Sequence, residues 1–137
     1  MNLPLRIGFA VSLLGSAESH AYLYVHGYRH IPMIGMGFLV QASVSFAVAV
    51  LIALGGPWWL RWAAAAVAGG SLVAFAASRT AGLFGFTEHG WDPTPYATIS
   101  VGAEVLTVLL WMLADYPWGV RFGRFRRARE PTTSASM

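Results

Sequence analysis

The chain has 137 residues, one domain's worth, of which 56% are hydrophobic and only 11% charged. Soluble domains carry roughly a quarter charged residues, so this balance excludes an ordinary soluble fold. The formal net charge of +3 comes from nine arginines with no lysine, and the absence of cysteine removes disulfides, thiolate metal sites and thiol nucleophiles.

A helix crossing the ~30 Å hydrocarbon core needs about 20 mainly apolar residues, and four segments meet that length. The first runs from Leu5 to Tyr24 and contains Glu18 and His20. Its opening, residues 1–17, also has the pattern of a cleavable signal: a charged start, a short apolar stretch and small residues at Gly15-Ser16-Ala17. The apolar run resuming from Ala21 to Val25 favours a retained helix instead. The second segment, Ile34 to Leu54, holds Gln41; the third, Trp58 to Ala77, starts near Arg61; the fourth, Tyr96 to Ala114, holds Glu104. Spanning segments must satisfy their own backbone hydrogen bonds, so the expected fold is all-α, a four-helix up-down transmembrane bundle over residues 1–120.

Arginine placement sets the expected direction. Arg6, Arg61, Arg121, Arg124, Arg126, Arg127 and Arg129 fall on one side of four spans, with only Arg29 and Arg79 on the other. Both termini are therefore expected in the cytoplasm of a bacterial cell, with the protein multi-pass in its plasma membrane. Trp58, Trp59, Trp62, Tyr116 and Trp118 would mark the inner interface, and Tyr22, Tyr24, Tyr28, Trp91 and Tyr96 the outer. Residues 121–137 form a cytoplasmic tail in which Arg121, Arg124, Arg126, Arg127 and Arg129 are expected to lie on anionic lipid head groups, each contributing about 1 kcal/mol near the surface. Lipid contact explains this cluster without a nucleic-acid partner. Small residues spaced by four on the third span, Ala66, Gly70, Ala74 and Ser78, read as a close-packing stripe.

At 1.5 Å per residue, Gln41 lies about 10 Å, Glu104 about 12 Å, Glu18 about 9 Å and His20 about 6 Å below the outer boundary. Arg79 reaches the same layer from the third span. Charged groups at such depth normally face the bundle interior and pair, or line a wet cavity. The bland expectation is a structural network in which Glu104 pairs with Arg79 or His20. The sharper one is a site for a metal ion, a proton or a small polar ligand. Glu18 and His20 lie about 200° apart around a helix, so only one faces inward. Ser16 shares the His20 face and Ser100 the Glu104 face, which makes His20 and Glu104 the expected inward pair, with Glu18 at the rim or against Arg29.

Two outer loops add candidate ligands: His26 and His30 before Pro32, and Glu88, His89 and Asp92 between Ser78 and Pro95. Imidazole with carboxylate suits zinc or copper(II), and Met33 and Met36 could serve copper(I). No spacing forms a strong metal signature, and only one histidine lies within a span, which disfavours a bis-histidine haem. The Leu83-Phe84-Gly85-Phe86 run is expected at the interface or over the bundle mouth.

The stretches His26-Gly27-Tyr28-Arg29-His30-Ile31-Pro32, Ile34-Gly35, Phe38-Leu39-Val40-Gln41-Ala42 and Gly82-Leu83-Phe84-Gly85-Phe86-Thr87-Glu88, with Glu104, resemble a group of small four-span membrane proteins of actinobacteria. The resemblance covers most of residues 20–110. It implies fold and location and no particular chemistry; Met33 and Met36 depart from its pattern, which weakens copper(I). The leading expectation is a small non-enzymatic membrane protein whose outer polar cluster binds a metal or small ligand, with no catalytic residue assigned. The alternatives are a structural accessory subunit of a larger complex or homo-oligomer, and a metal-dependent membrane oxidoreductase.

Overall fold

A computed structural model describes residues 1–90 and 93–115. Trp91, Asp92, Tyr116, Trp118 and the tail arginines Arg121, Arg124, Arg126, Arg127 and Arg129 lie outside the described residues. Four long helices, α1 (Leu3–Leu23), α2 (Ile34–Ala53), α3 (Leu60–Arg79) and α4 (Tyr96–Asp115), make up the architecture, with no β-strand among the described residues.

Helices α2, α3 and α4 are each long and apolar enough to cross a membrane. At 21 residues α1 has the length, but Arg6, Glu18, His20 and three serines lower its apolarity. Its start is set by Asn2, whose Oδ1 accepts from the Leu5 N–H at 3.2 Å, and by a proline in the first turn. That capping satisfies donors a helix start leaves open.

Beyond Leu23 the chain loosens into a π turn, Tyr24–Tyr28, closed by the Arg29 N–H donating to the Tyr24 carbonyl at 3.0 Å. Pro32 and the left-handed Met33 (φ 65°) then reverse the chain into α2. Gly35 lets α2 start directly beneath this reversal: a Cβ there would lie 2.5 Å from the Tyr28 carbonyl oxygen.

Around the bundle the order is α1, α2, α3, α4. Helices α2 and α4 hold α1 tightly between them, whereas α2 and α3 are the least closely packed of the adjacent pairs. At the end carrying the N-terminus and the α2–α3 turn, the core is apolar: Phe9, Leu13, Ile52, Leu60 and Ala64 are buried to 2% exposure or less. Arg6 reaches across to this end of α2, donating from Nε to the Ile52 carbonyl at 3.3 Å and from Nη2 to the Ala53 carbonyl. A cation on terminal carbonyls also complements the helix dipole. Arg61 and Asp115 tie α3 to α4 at the same end, with Nη2 and Oδ1 2.8 Å apart.

The other end differs. There the helices spread around a hollow, and residues 80–90 fold over it.

Candidate functional site

The buried polar residues of α1 and α4 recur about one helical turn apart and meet across the bundle in successive layers. On α1, Ser12, Ser16 and His20 recur every four residues and are all buried. On α4, Ser100, Glu104 and Thr107 occupy the facing stripe, also buried. The deepest layer is the pair Ser12 and Thr107, whose hydroxyl oxygens lie 2.8 Å apart. Beneath them the apolar core closes the bundle.

Above this pair sits Glu104, only 1% exposed. Three hydroxyls donate to its Oε1: Ser71 at 2.7 Å, Ser100 at 2.9 Å and Ser16 at 3.2 Å. His20 Nε2 lies 3.7 Å from the same oxygen. The imidazole is oriented from its other side, because Nδ1 is 2.9 Å from the Ser16 carbonyl. A carbonyl only accepts, so Nδ1 carries a proton, and in the neutral ring that leaves Nε2 as the acceptor.

The expectation that His20 and Glu104 face one another is met. Arg79 is not Glu104's partner, contrary to one sequence expectation. Its Nη1 lies 2.5 Å from Glu88 Oε2, its Nε donates to the Gly90 carbonyl at 2.9 Å, and its guanidinium stacks 4.2 Å above the Phe75 ring. The reason is position: Arg79 ends α3, and the loop brings Glu88 back beside it before the side chain could turn down the bundle.

A cavity of about 300 Å³ occupies the space between this ion pair and Glu104. Its floor is Glu104, His20, Ser71 and Ser100; Gln41 stands on its wall; Phe38, Phe75, Phe84 and Phe86 make its upper part aromatic. Tyr28 stacks on Phe38 at 4.6 Å between ring centres, meets Phe86 edge-on at 5.8 Å, and donates its hydroxyl to Glu88 Oε1. The Leu83–Phe86 segment, pinned by reciprocal backbone hydrogen bonds of 2.8 Å, thereby covers the hollow.

Gly70, Ala74 and Ser78, read from sequence as a close-packing stripe, line the cavity instead. Small side chains there leave room because α2 stands off. Gly37 on α2 and Gly70 on α3 both line the hollow and are exposed on the bundle's flank, and a Cβ at either would meet nothing within 4 Å. The cavity thus opens sideways between α2 and α3.

Of the residues read from sequence as ligands, His20, Glu104, Gln41 and Glu88 line this cavity, and Glu88 is held by Arg79 and Tyr28. The other four do not enter it. His26 is exposed, bonded through Nδ1 to the Tyr22 carbonyl at 3.0 Å and stacked on the Tyr22 ring. His30 is exposed and accepts from its neighbour Arg29 at 2.8 Å. His89 is exposed on the loop, and Glu18 points away from the bundle without Arg29 as a partner. The π turn explains the loop histidines: it ends the α-helical phase that would have stacked His26 and His30. Among the described residues no three histidine or carboxylate side chains come together as a metal-binding group.

Sequence reading missed Ser71, the closest donor to Glu104. A serine after Gly69-Gly70 in an alanine-rich helix carries no hydropathy signal, and only the phase shared with Gly70 and Ala74 hints at it. It also missed Tyr28 and Phe38 as cavity walls.

Fold and site together define a helical bundle with membrane-competent helices and a half-enclosed, polar-floored cavity. No protein-family model, curated protein or solved structure matches the chain.

Proposed function

We propose that the chain is a four-span protein of the bacterial plasma membrane that binds a small amphiphilic molecule in the outer half of its bundle. The single observation that carries this reading is the cavity of about 300 Å³, at the small end of the range for ligand sites, with one polar floor and aromatic walls. The side opening between Gly37 and Gly70 lets such a molecule enter from the lipid with its polar end leading toward Glu104.

Membrane insertion of α1 as the fourth span is supported by its partners. Phe9 and Leu13 complete the apolar core, and His20 and Ser16 complete the polar floor. With four spans, the arginine bias puts both termini in the cytoplasm and the cavity outside; the actinobacterial resemblance supports a plasma-membrane setting. A small organic ligand accounts for the site better than zinc or copper, since among the described residues His20 and Glu104 alone offer histidine or carboxylate ligands at the floor.

One observation favours a second reading, that of an accessory subunit or homo-oligomer. Glu18 is exposed on the flank of α1 beside Val11, Leu14 and Tyr22, a costly place for a carboxylate facing lipid and a natural contact for another helix.

The test of ligand binding uses 8-fluorooctan-1-ol and fluorine NMR on the protein in zwitterionic nanodiscs. A saturable bound signal, lost when Ala74→Phe fills the hollow, is the expected result. Signal that only partitions into lipid, identical in wild type and variant, overturns the reading.

A further inference from the structure

The cavity floor is short of donors rather than of acceptors. Ser16, Ser71 and Ser100 each spend their hydroxyl proton on Glu104 Oε1. Among the described residues none donates to Oε2 of that carboxylate. With Nδ1–H committed to the Ser16 carbonyl, Nε2 of His20 faces Ser71 Oγ at 3.3 Å and Glu104 Oε1 at 3.7 Å; in the neutral ring it is an acceptor, and neither neighbour has a proton left to give. Gln41 completes the pattern. One N–H of its amide donates to the Val67 carbonyl at 3.4 Å, which orients the amide and leaves its oxygen, beside the second N–H, as another acceptor on the wall.

The charge count agrees. Among the described residues, the acidic and basic side chains lining the hollow, apart from His20, are Arg79, Glu88 and Glu104. Arg79 and Glu88 neutralise each other at the mouth, 2.5 Å apart. Glu104 is left with hydroxyls and an imidazole in surroundings where a buried carboxylate needs both charge and hydrogen-bond compensation.

Resting on the amphiphile-binding reading above, we propose that the ligand class is a primary alkylammonium, or an amphiphile with such a head. An ammonium group has three N–H donors and no acceptor. It would bridge Glu104 and His20, neutralise the Glu104 carboxylate and leave its alkyl body among Phe38, Phe75 and Phe86. An alcohol brings one donor and no charge. A carboxylate brings none and repels Glu104.

The experiment compares 8-fluorooctylammonium, 8-fluorooctan-1-ol and 8-fluorooctanoate by fluorine NMR in zwitterionic nanodiscs, each scaled to its concentration in the lipid. The wild-type protein is expected to bind the ammonium at least about tenfold more tightly than the alcohol, in keeping with charge-assisted hydrogen bonding, and the carboxylate least. Glu104→Gln, isosteric and still hydrogen-bonding, should bring the ammonium down to the level of the alcohol. The wild-type ranking needs no variant, so it stands even if Glu104→Gln folds poorly. Equal binding of ammonium and alcohol, or a preference for the carboxylate, overturns this inference while leaving the amphiphile site intact. An ammonium preference that persists in Glu104→Gln overturns the assignment to Glu104. Failure of all three to bind overturns the site itself.

Discussion

Tyr28 and Glu88 stand 60 positions apart in the chain, yet the phenol of one donates to the carboxylate of the other and closes the α1–α2 reversal onto the α3–α4 loop. Arg79 holds the second oxygen of that carboxylate. The lid over the cavity is therefore fastened by one side chain from each of three segments.

Removing one fastener should loosen the lid without emptying the floor. Tyr28→Phe keeps the stacking on Phe38 and deletes only the hydroxyl, at a cost of about 1–3 kcal/mol for a hydrogen bond to a charged group. Faster amide exchange in residues 80–90, with little change in α1 or α4, is the expected result by hydrogen-exchange mass spectrometry. Unchanged exchange would mean that Arg79 alone secures the loop.

The side opening makes its own prediction. Gly70→Leu places a branched side chain where a Cβ has free space, so folding is expected to survive while entry from the flank is blocked. Fluorine NMR exchange rates should fall by an order of magnitude or more relative to wild type. Exchange as fast as wild type would show that ligand arrives over the lid instead.

At the floor, Ser71→Ala removes the shortest of three donors to Glu104. Loss of a hydrogen bond to a buried charged group costs about 1.5–3 kcal/mol, to be read as a lower midpoint of thermal unfolding in detergent. Ser43→Ala, at an exposed hydroxyl bonded only to its own helix, should leave the midpoint in place. Equal effects of the two substitutions would refute the special role of Ser71.

Glu18 should behave in the opposite sense. It faces outward, so Glu18→Leu is expected to leave octylammonium binding unchanged and to ease insertion of α1 by about 1–3 kcal/mol, within the scale for charged residues in spanning helices. A membrane-insertion assay of α1 measures this directly. If the variant instead breaks a native oligomer seen by in-membrane crosslinking, the carboxylate belongs to an interface.

Arg61 and Asp115 are each about one-fifth exposed, so their pairing should be modest. A double-mutant cycle with Arg61→Gln and Asp115→Asn is expected to give a coupling of about 1 kcal/mol, near the upper end for partly exposed pairs. A coupling near zero would leave the apolar contacts between α3 and α4 as the sole fastening there.

Helix placement and the inward pair were legible because both depend on local periodicity. His20 and Glu104 share depth and phase with Ser16 and Ser100, and counting along a helix finds such alignments. Two of the expected ligands stay outside the cavity for a reason counting cannot see. His26 and His30 fall after the switch from α to π geometry, which rotates them off the phase of His20. Glu88 does reach the cavity, from a loop whose path is set by contacts to Arg79 and to Tyr28, the latter distant in sequence. The stripe on α3 was legible as a row of small residues, but small residues serve either a close contact or an empty space. The distance of α2 decides between the two, and no residue on α3 encodes that distance.

The packed end below Ser12 and Thr107 gives the molecule a sidedness beyond its topology. The bundle is a cup, not a tube: Phe9, Leu13, Ile52 and Leu60 stopper it from one side. On the proposed four-span placement, a compound applied from the stoppered side must first cross the bilayer by itself before it reaches Glu104, so occupancy after addition there lags by the compound's own flip time. Two compounds of equal affinity then act at different speeds according to how readily each changes leaflet.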